Sequence, residues 1–322
     1  MQVITTESKQ RLFEKLHRDL GDDIVHYLQN KDINEVMLNP DGMLWIDSAT
    51  RGLEYVKNVS NAQASAIING IAGIHNFIVT QHNPRLEAEL PYFKSMRGER
   101  FTAQVPPIVS GPCFTIRKKS EIIFKLEDYL STHRLTTRQA EVLRKLIANR
   151  KNILVCGGPG SGKTTVTNAL IIEAVKCDEN QRFVILEDLP ELQCSALNKV
   201  AMLTSVDITM TGLLRAAMRM RPDRILIGEV RGAEALDMLK AWNTGCPGGI
   251  CTVHANGAEE AIQRIADLAM ETGLINPPLQ LIHHTIDAIV SVTRKQNQKG
   301  FISDILTLGD YQDGKFQFKK IG

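Results

Sequence analysis

Over residues 6–30 the apolar side chains Leu12, Phe13, Leu16, Leu20, Ile24 and Leu28 recur at the spacing of one helical face, which predicts an amphipathic helix. The pattern then changes period. INEVMLNPDGMLWID carries two alternating apolar runs around Asn39-Pro40-Asp41-Gly42, the signature of a β-hairpin. Residues 60–83 hold no charge, and Ala66, Ile67, Ile71, Ile74 and Phe77 return to helical spacing. Ser, Asn, Gln and His are interspersed throughout, so a buried amphipathic helix over 60–80 is expected rather than a membrane span. Short strands with Pro and Gly breaks follow, ending in FTIRKK at 114–119. KLEDYLSTHRLTT at 125–137 has no strong period and reads as a linker. The expected division is an N-terminal α+β domain over 1–126, a linker over 127–137 and a third segment over 138–322.

From 138 onward strands and helices alternate, which implies a mostly parallel sheet covered by helices, and hence an α/β fold. NILVC (152–156) precedes a glycine loop and a helix over 163–177; RFVIL (182–186), RILIG (224–228) and GICTV (249–253) are the other apolar runs. Each delivers polar residues at its C-terminal end: the glycine loop, Glu187-Asp188, Glu229 and His254. In open α/β sheets that edge is where ligands bind.

Charge narrows the function classes. The chain has 38 Lys+Arg against 36 Asp+Glu, a net +2, and no aromatic-basic strip is evident. Neither a nucleic-acid grip nor a membrane-wide field is expected from that balance. The segment TESKQRLFEKLHRD lacks the apolar centre of a signal peptide, so any membrane association is expected to be peripheral, on the cytoplasmic side. The six cysteines form no C-x-x-C pair and sit mostly in apolar runs, as reduced thiols of a cytoplasmic protein do. A zinc site built from Cys246, Cys251 and His254 is disfavoured for the same reason.

The most specific motif is GGPGSGKTT at 157–165, which satisfies G-x-x-x-x-G-K-[ST] between a strand and a helix. The loop Gly158, Pro159, Gly160, Ser161 and Gly162 wraps closely enough for its non-proline N–H groups to face phosphate oxygens, and Thr165 at the helix head is expected to join this nucleotide-binding set. Lys163 would reach the β- and γ-phosphates of ATP, and the Thr164 hydroxyl would coordinate Mg2+. Glu229, at the end of ILIGE, suits a water-activating base or an indirect Mg2+ ligand; the plainer alternative is a surface pair with Arg231. Glu187 and Asp188 suit a dication site, with Asp188 as a metal ligand, against a solvated acidic turn. Glu191 is a weaker turn candidate. Arg215 and Arg219, four apart, are expected on one face of a helix capped by Thr211. Arg100 and Arg117 interrupt strand-like runs and call for a partner or a ligand. For His254 three readings stand: metal ligand, satisfied strand-end residue, or part of a reaction centre.

Taken together, GGPGSGKT, VILEDLPELQ, RMRPDRILIGEVRG and GGICTVHAN resemble, in order and spacing, the motifs of the secretion ATPase superfamily. RMRPDRILIGEVRG and PPIVSGPCFTIRKKS resemble its conjugal-transfer and type IV secretion members, particularly the TrbB-like group. The resemblance implies a RecA-like second domain, a homo-hexameric ring, and inner-membrane secretion-system proteins as partners. It also implies that Arg100 and Arg117 approach the terminal phosphate, that Glu187 and Glu229 are catalytic acids, and that His254 relays phosphate state. Type IV pilus or type II secretion motors, a nucleotide-switched scaffold and a DNA-translocating motor are the competing classes.

Overall fold

A computed structural model describes residues 6–48, 51–118, 124–205, 207–294, 300–312 and 315–322. The chain forms two compact units, Met1–Ile122 and Ile123–Gly322.

In the first unit, α1 (Thr6–Gln29) buries Leu16, Leu20, Ile24 and Leu28 on the predicted stripe. It breaks at Gly21, whose φ of 75° and ψ of 166° lie outside helical space and suit a residue without a Cβ. β1 (Ile33–Leu38) and β2 (Met43–Ser48) make the expected hairpin, with Val36 opposite Ile46 and Leu38 opposite Leu44. β3 (Gly52–Asn58) extends it, and α2 (Asn61–Ile74), capped by the Ser60 side chain, packs Ile67, Ile68 and Ile71 inward. This helix ends six residues before the expected 80, so Phe77 lies beyond it and is exposed. After β4 (Arg85–Glu89) comes a small hairpin of β5 (Tyr92–Phe93) and β6 (Met96–Arg97). β7 (Arg100–Gln104) and β8 (Cys113–Arg117) complete an antiparallel sheet of order β3-β2-β1-β8-β7-β4. Lys119, the last residue of the expected FTIRKK strand, lies outside the described residues.

The second unit includes the stretch expected to be a linker. Leu126–Ser131 form α3, and Leu126 and Tyr129 are buried in this unit's core. Two buried side chains in six residues are too few to show a period, yet enough to fasten one helical turn and a half. α4 (Thr137–Ala148) follows, with a Thr136–Gln139 capping box.

β9 (Ile153–Gly157), α5 (Lys163–Cys177), β10 (Phe183–Glu187), β11 (Lys199–Leu203), α6 (Met210–Ala217), β12 (Arg224–Ile227), α7 (Glu234–Asn243), β13 (Ile250–His254) and α8 (Ala258–Met270) then build the α/β layer. α9 (Leu279–Thr285), β14 (Ala288–Thr293), β15 (Phe301–Gln312) and β16 (Lys315–Lys320) close the chain. The sheet runs β11-β10-β12-β13-β9-β14-β15-β16. The strands from β11 to β14 are mutually parallel, and β15 and β16 join antiparallel. β9, β10 and β12 are buried at every position, because helices cover both faces. That is why they read as unbroken apolar runs. The topology places the C-terminal ends of β9, β10, β12 and β13 along one edge.

One expectation about α6 is corrected. Its cap is Thr209, whose side chain accepts the Gly212 N–H, not Thr211; Arg215 is exposed and Arg219 falls past the helix end. The two arginines therefore do not share a helical face.

Candidate active site

The loop between β9 and α5 holds its shape through glycine. Gly160 (φ 65°) and Gly162 (φ 94°) adopt the left-handed region that side chains disfavour. Gly157 is needed for room: a Cβ there would sit 2.4 Å from Val292 O and 2.5 Å from Ser161 Oγ. Lys163, the first residue of α5, is buried. Its Nζ donates to the carbonyls of Gly157 (2.9 Å) and Gly158 (3.1 Å).

The same ammonium lies 3.2 Å from His254 Nδ1. β13 pairs with β9 so that His254 is in register with Gly157, which puts the imidazole beside the loop. An ammonium can only donate, so Nδ1 is the acceptor and Nε2 carries the ring hydrogen. Nε2 in turn stands 2.8 Å from Glu229 Oε1. Lys163, His254 and Glu229 thus form a chain across three strand ends.

Glu229 is mostly buried and serves two neighbours. Its Oε2 meets Arg231 Nη2 at 2.5 Å and Arg231 Nε at 2.7 Å, so the pairing with Arg231 and the placement in the site both occur. Oε1 is buried and, among the described residues, receives no aligned hydrogen bond despite its closeness to His254. A carboxylate oxygen in that state keeps the capacity to accept from water. The residue before it is glycine for a steric reason. A Cβ on Gly228 would come within 3.1 Å of Glu187 Cγ.

Glu187 is 3% exposed and turns its carboxylate onto its own loop: Oε1 accepts the N–H groups of Glu191 (2.8 Å) and Leu192 (2.7 Å). This anchoring brings Glu191 to the head of α5, where Thr164 Oγ1 donates to its Oε2 at 3.3 Å. Asn168 fixes the same segment by donating to Glu191 O and accepting Gln193 N–H. Asp188 points elsewhere, accepting from Thr204 Oγ1 at 2.9 Å and facing Arg231 at 3.9 Å. So the carboxylate beside Thr164 is Glu191, which sequence reasoning ranked below Asp188. Only the fold of the 188–193 loop could reverse that order. Thr164 and Glu191 offer two hard oxygen donors side by side, the chemistry Mg2+ takes while keeping several waters. Ser161 Oγ, buried in the loop and without a hydrogen-bond partner among the described residues, is a further polar atom suited to a phosphate.

In the first unit, Arg100 and Arg117 are direct partners across β7 and β8. Opposed residues of an antiparallel pair share a face, and two like charges there are unfavourable without compensation. The compensation is loose: Arg100 lies 3.9 Å from Glu87 and Arg117 lies 3.6 Å from Glu35. Cys251 is fully buried in β13, its thiol donating to Thr252 O, and burial drives its pKa well above the ordinary thiol value. That environment suits a core thiol and not a zinc ligand.

The family described as type II/IV secretion system protein matches residues 19–310. The chain belongs to this family. The conjugal transfer protein TrbB of Rhizobium radiobacter is 39% identical over 310 residues, covering 96% of this chain and 94% of that one. The type IV secretion system protein VirB11 of Bartonella quintana is 32% identical over 292 residues, covering 76% and 79%. Among solved structures, the Legionella pneumophila ATPase DotB aligns with a TM-score of 0.65 at 19% identity, covering 91% of this chain and 80% of that one. The pilus retraction motor PilT with bound ADP aligns at 0.61 and 18%, covering 92% and 81%. These two likenesses support the two-unit family fold with its P-loop sheet. Among the described residues, no helix is long and apolar enough to cross a membrane.

Proposed function

We propose that this protein is an ATP-hydrolysing motor that powers pilus assembly or substrate transfer by a conjugative type IV secretion system. The relatives named for conjugal transfer and type IV secretion support the cellular role, and the Lys163–His254–Glu229 chain carries the chemical one. Hydrolysis needs a cation on the β- and γ-phosphates and a base for the attacking water, held in fixed relation. Lys163 supplies the first and Glu229 the second. Water oxygen forms the new bond to the γ-phosphorus as the β–γ bridging bond breaks, and the water proton passes to Glu229. His254 touches both groups, so its position reports whether the lysine is engaged by phosphate.

Thr164 and Glu191 would hold Mg2+, which when bound would neutralise phosphate charge there; Asp188, turned to Thr204 and Arg231, is not among its ligands. Glu187 acts here as a positioning residue for Glu191. Arg100 and Arg117 enter as a loosely compensated pair of cations on one sheet face, suited to terminal-phosphate oxygens. The working form is a homo-hexamer on the cytoplasmic face of the inner membrane, bound peripherally to secretion-system proteins and making no direct nucleic-acid contact.

The test is steady-state phosphate release against oligomer size, with and without Mg2+. Mg2+-dependent turnover peaking in the hexamer fraction, abolished by Lys163→Ala, is expected. Tight ATP binding without turnover in any fraction would instead identify a nucleotide-switched scaffold. A salt-dependent DNA-binding assay checks the nucleic-acid statement separately.

A further inference from the structure

Two of the residues assigned to the terminal phosphate, His254 and Glu229, lie to one side of β9. His254 ends β13, the strand paired with β9, and Glu229 follows β12, the next strand out. A nucleotide seated along the loop with its γ-phosphate toward them must carry its α-phosphate and nucleoside the other way, toward β14. β14 pairs with β9 on that opposite side, with Ser291 in register with Cys156.

Just past the end of β14 stands Arg294, exposed at the strand end. Its Nη1 is the nearest atom to where a Cβ on Gly160 would be, at 3.7 Å. The guanidinium therefore lies against the outer bend of the loop, at a distance of ordinary contact. The same end of the β14–β15 pair is tied to the loop at a second point. A Cβ on Gly300 would fall 1.8 Å from Ser161 O, so Gly300 packs its backbone directly on the loop. Gly300 O is itself approached by Arg134 Nη1 at 3.5 Å, and Ile302 N–H donates to Arg134 O at 3.0 Å. Arg294 thus sits on a braced strand end.

We infer that Arg294 binds the nucleoside-proximal phosphates of the nucleotide, the α- and β-groups shared by ATP and ADP, from the β14 side of the loop. The inference rests on the ATP reading above and adds the half of the site that reading left unassigned. A guanidinium presents parallel N–H donors that match two phosphate oxygens, whereas an ammonium is a single point of charge. It is a binding residue for both nucleotides and, unlike His254 or Glu229, has no means of telling ATP from ADP.

The experiment measures Mg-ADP and Mg-ATP affinity of the full chain by calorimetry, together with the melting temperature with and without ADP. Arg294→Ala is expected to weaken both nucleotides alike, by about tenfold, the size of one charge-assisted contact. Arg294→Lys should recover only part of the loss. The nucleotide-free melting temperature should stay at the wild-type value while the ADP-induced rise shrinks. If alanine disturbs the strand end, Arg294→Gln keeps an unbranched polar stem without the charge and gives the same readings. ADP affinity within twofold of wild type in a folded variant overturns the inference. So does a lower nucleotide-free melting temperature with an undiminished ADP-induced rise, which marks Arg294 as a brace. Failure of the wild-type chain to bind either nucleotide would overturn the ATP reading itself, a result distinct from both.

Discussion

Glu229→Gln separates chemistry from binding. The amide keeps the shape of the carboxylate and an acceptor oxygen for Arg231, but no longer takes a proton from water. Loss of a positioned general base lowers turnover by roughly 10²- to 10⁴-fold, or about 3–5 kcal/mol of transition-state stabilisation. The structural cost is much smaller. The Arg231 side chain is 55% exposed, so the lost ion pair is worth about 0–1 kcal/mol after solvent screening. For a unit of this size that corresponds to a melting-temperature change of roughly 2–4 °C at most. Lys163, Thr164 and Ser161, the groups expected to hold the phosphates, are not altered. ATP affinity should therefore remain within a few-fold of wild type. Calorimetric ATP binding, phosphate release and a thermal melt on one preparation give all three values. Turnover within threefold of wild type in the folded variant would refute the base assignment. A parallel fall of binding and turnover would show that Glu229 holds the metal or the loop instead.

Three further outcomes follow from the same geometry. His254→Ala should slow turnover by about 10- to 100-fold with ATP affinity largely kept, since the ring links Lys163 to Glu229 but is not the charge on either phosphate; the range is that of a residue positioning a catalytic group. Unchanged turnover per folded molecule, with only stability lowered, would make it a structural residue. Gly300→Ala, far from the loop in sequence, should push Ser161 out of place at about 1–3 kcal/mol and weaken ADP binding accordingly; wild-type affinity would show that the loop can yield freely. Glu99 is buried, and burial pushes its carboxyl above the ordinary 4.5, against smaller lowering from the Arg97 N–H. The folded state then keeps its proton to higher pH than the unfolded state, so this group makes stability fall as pH rises through the window just above 4.5. Glu99→Gln should flatten that part of the melting-temperature profile, and an identical slope in the variant would contradict it.

The α/β unit was legible because its strands are buried on both faces and its loop chemistry admits few residue types. NILVC, RFVIL, RILIG and GICTV each fall within a residue of the observed strands, and the helix over 163–177 is as expected. What escaped depends on contacts across the chain. α3 is too short to display a period and is held by Leu126 and Tyr129 against a core that the local sequence does not contain. Thr209 and Thr211 are equally good caps by type, and only the backbone bend decides between them. Glu191 outranks Asp188 beside Thr164 because Glu187 folds the loop back on itself. The direct opposition of Arg100 and Arg117 is a matter of strand register, which spacing alone does not reveal.

Lys163 in this structure already has carbonyl partners from its own loop and a histidine acceptor. Nucleotide binding is therefore an exchange of partners, not the capture of phosphate by a waiting charge. The exchange runs equally well in reverse. When ADP leaves, the ammonium falls back onto acceptors a side-chain rotation away and does not have to be rehydrated in a buried position. Such a loop gives up some affinity and gains a faster exit for spent nucleotide, which is the step a machine that must repeat its stroke can least allow to stall.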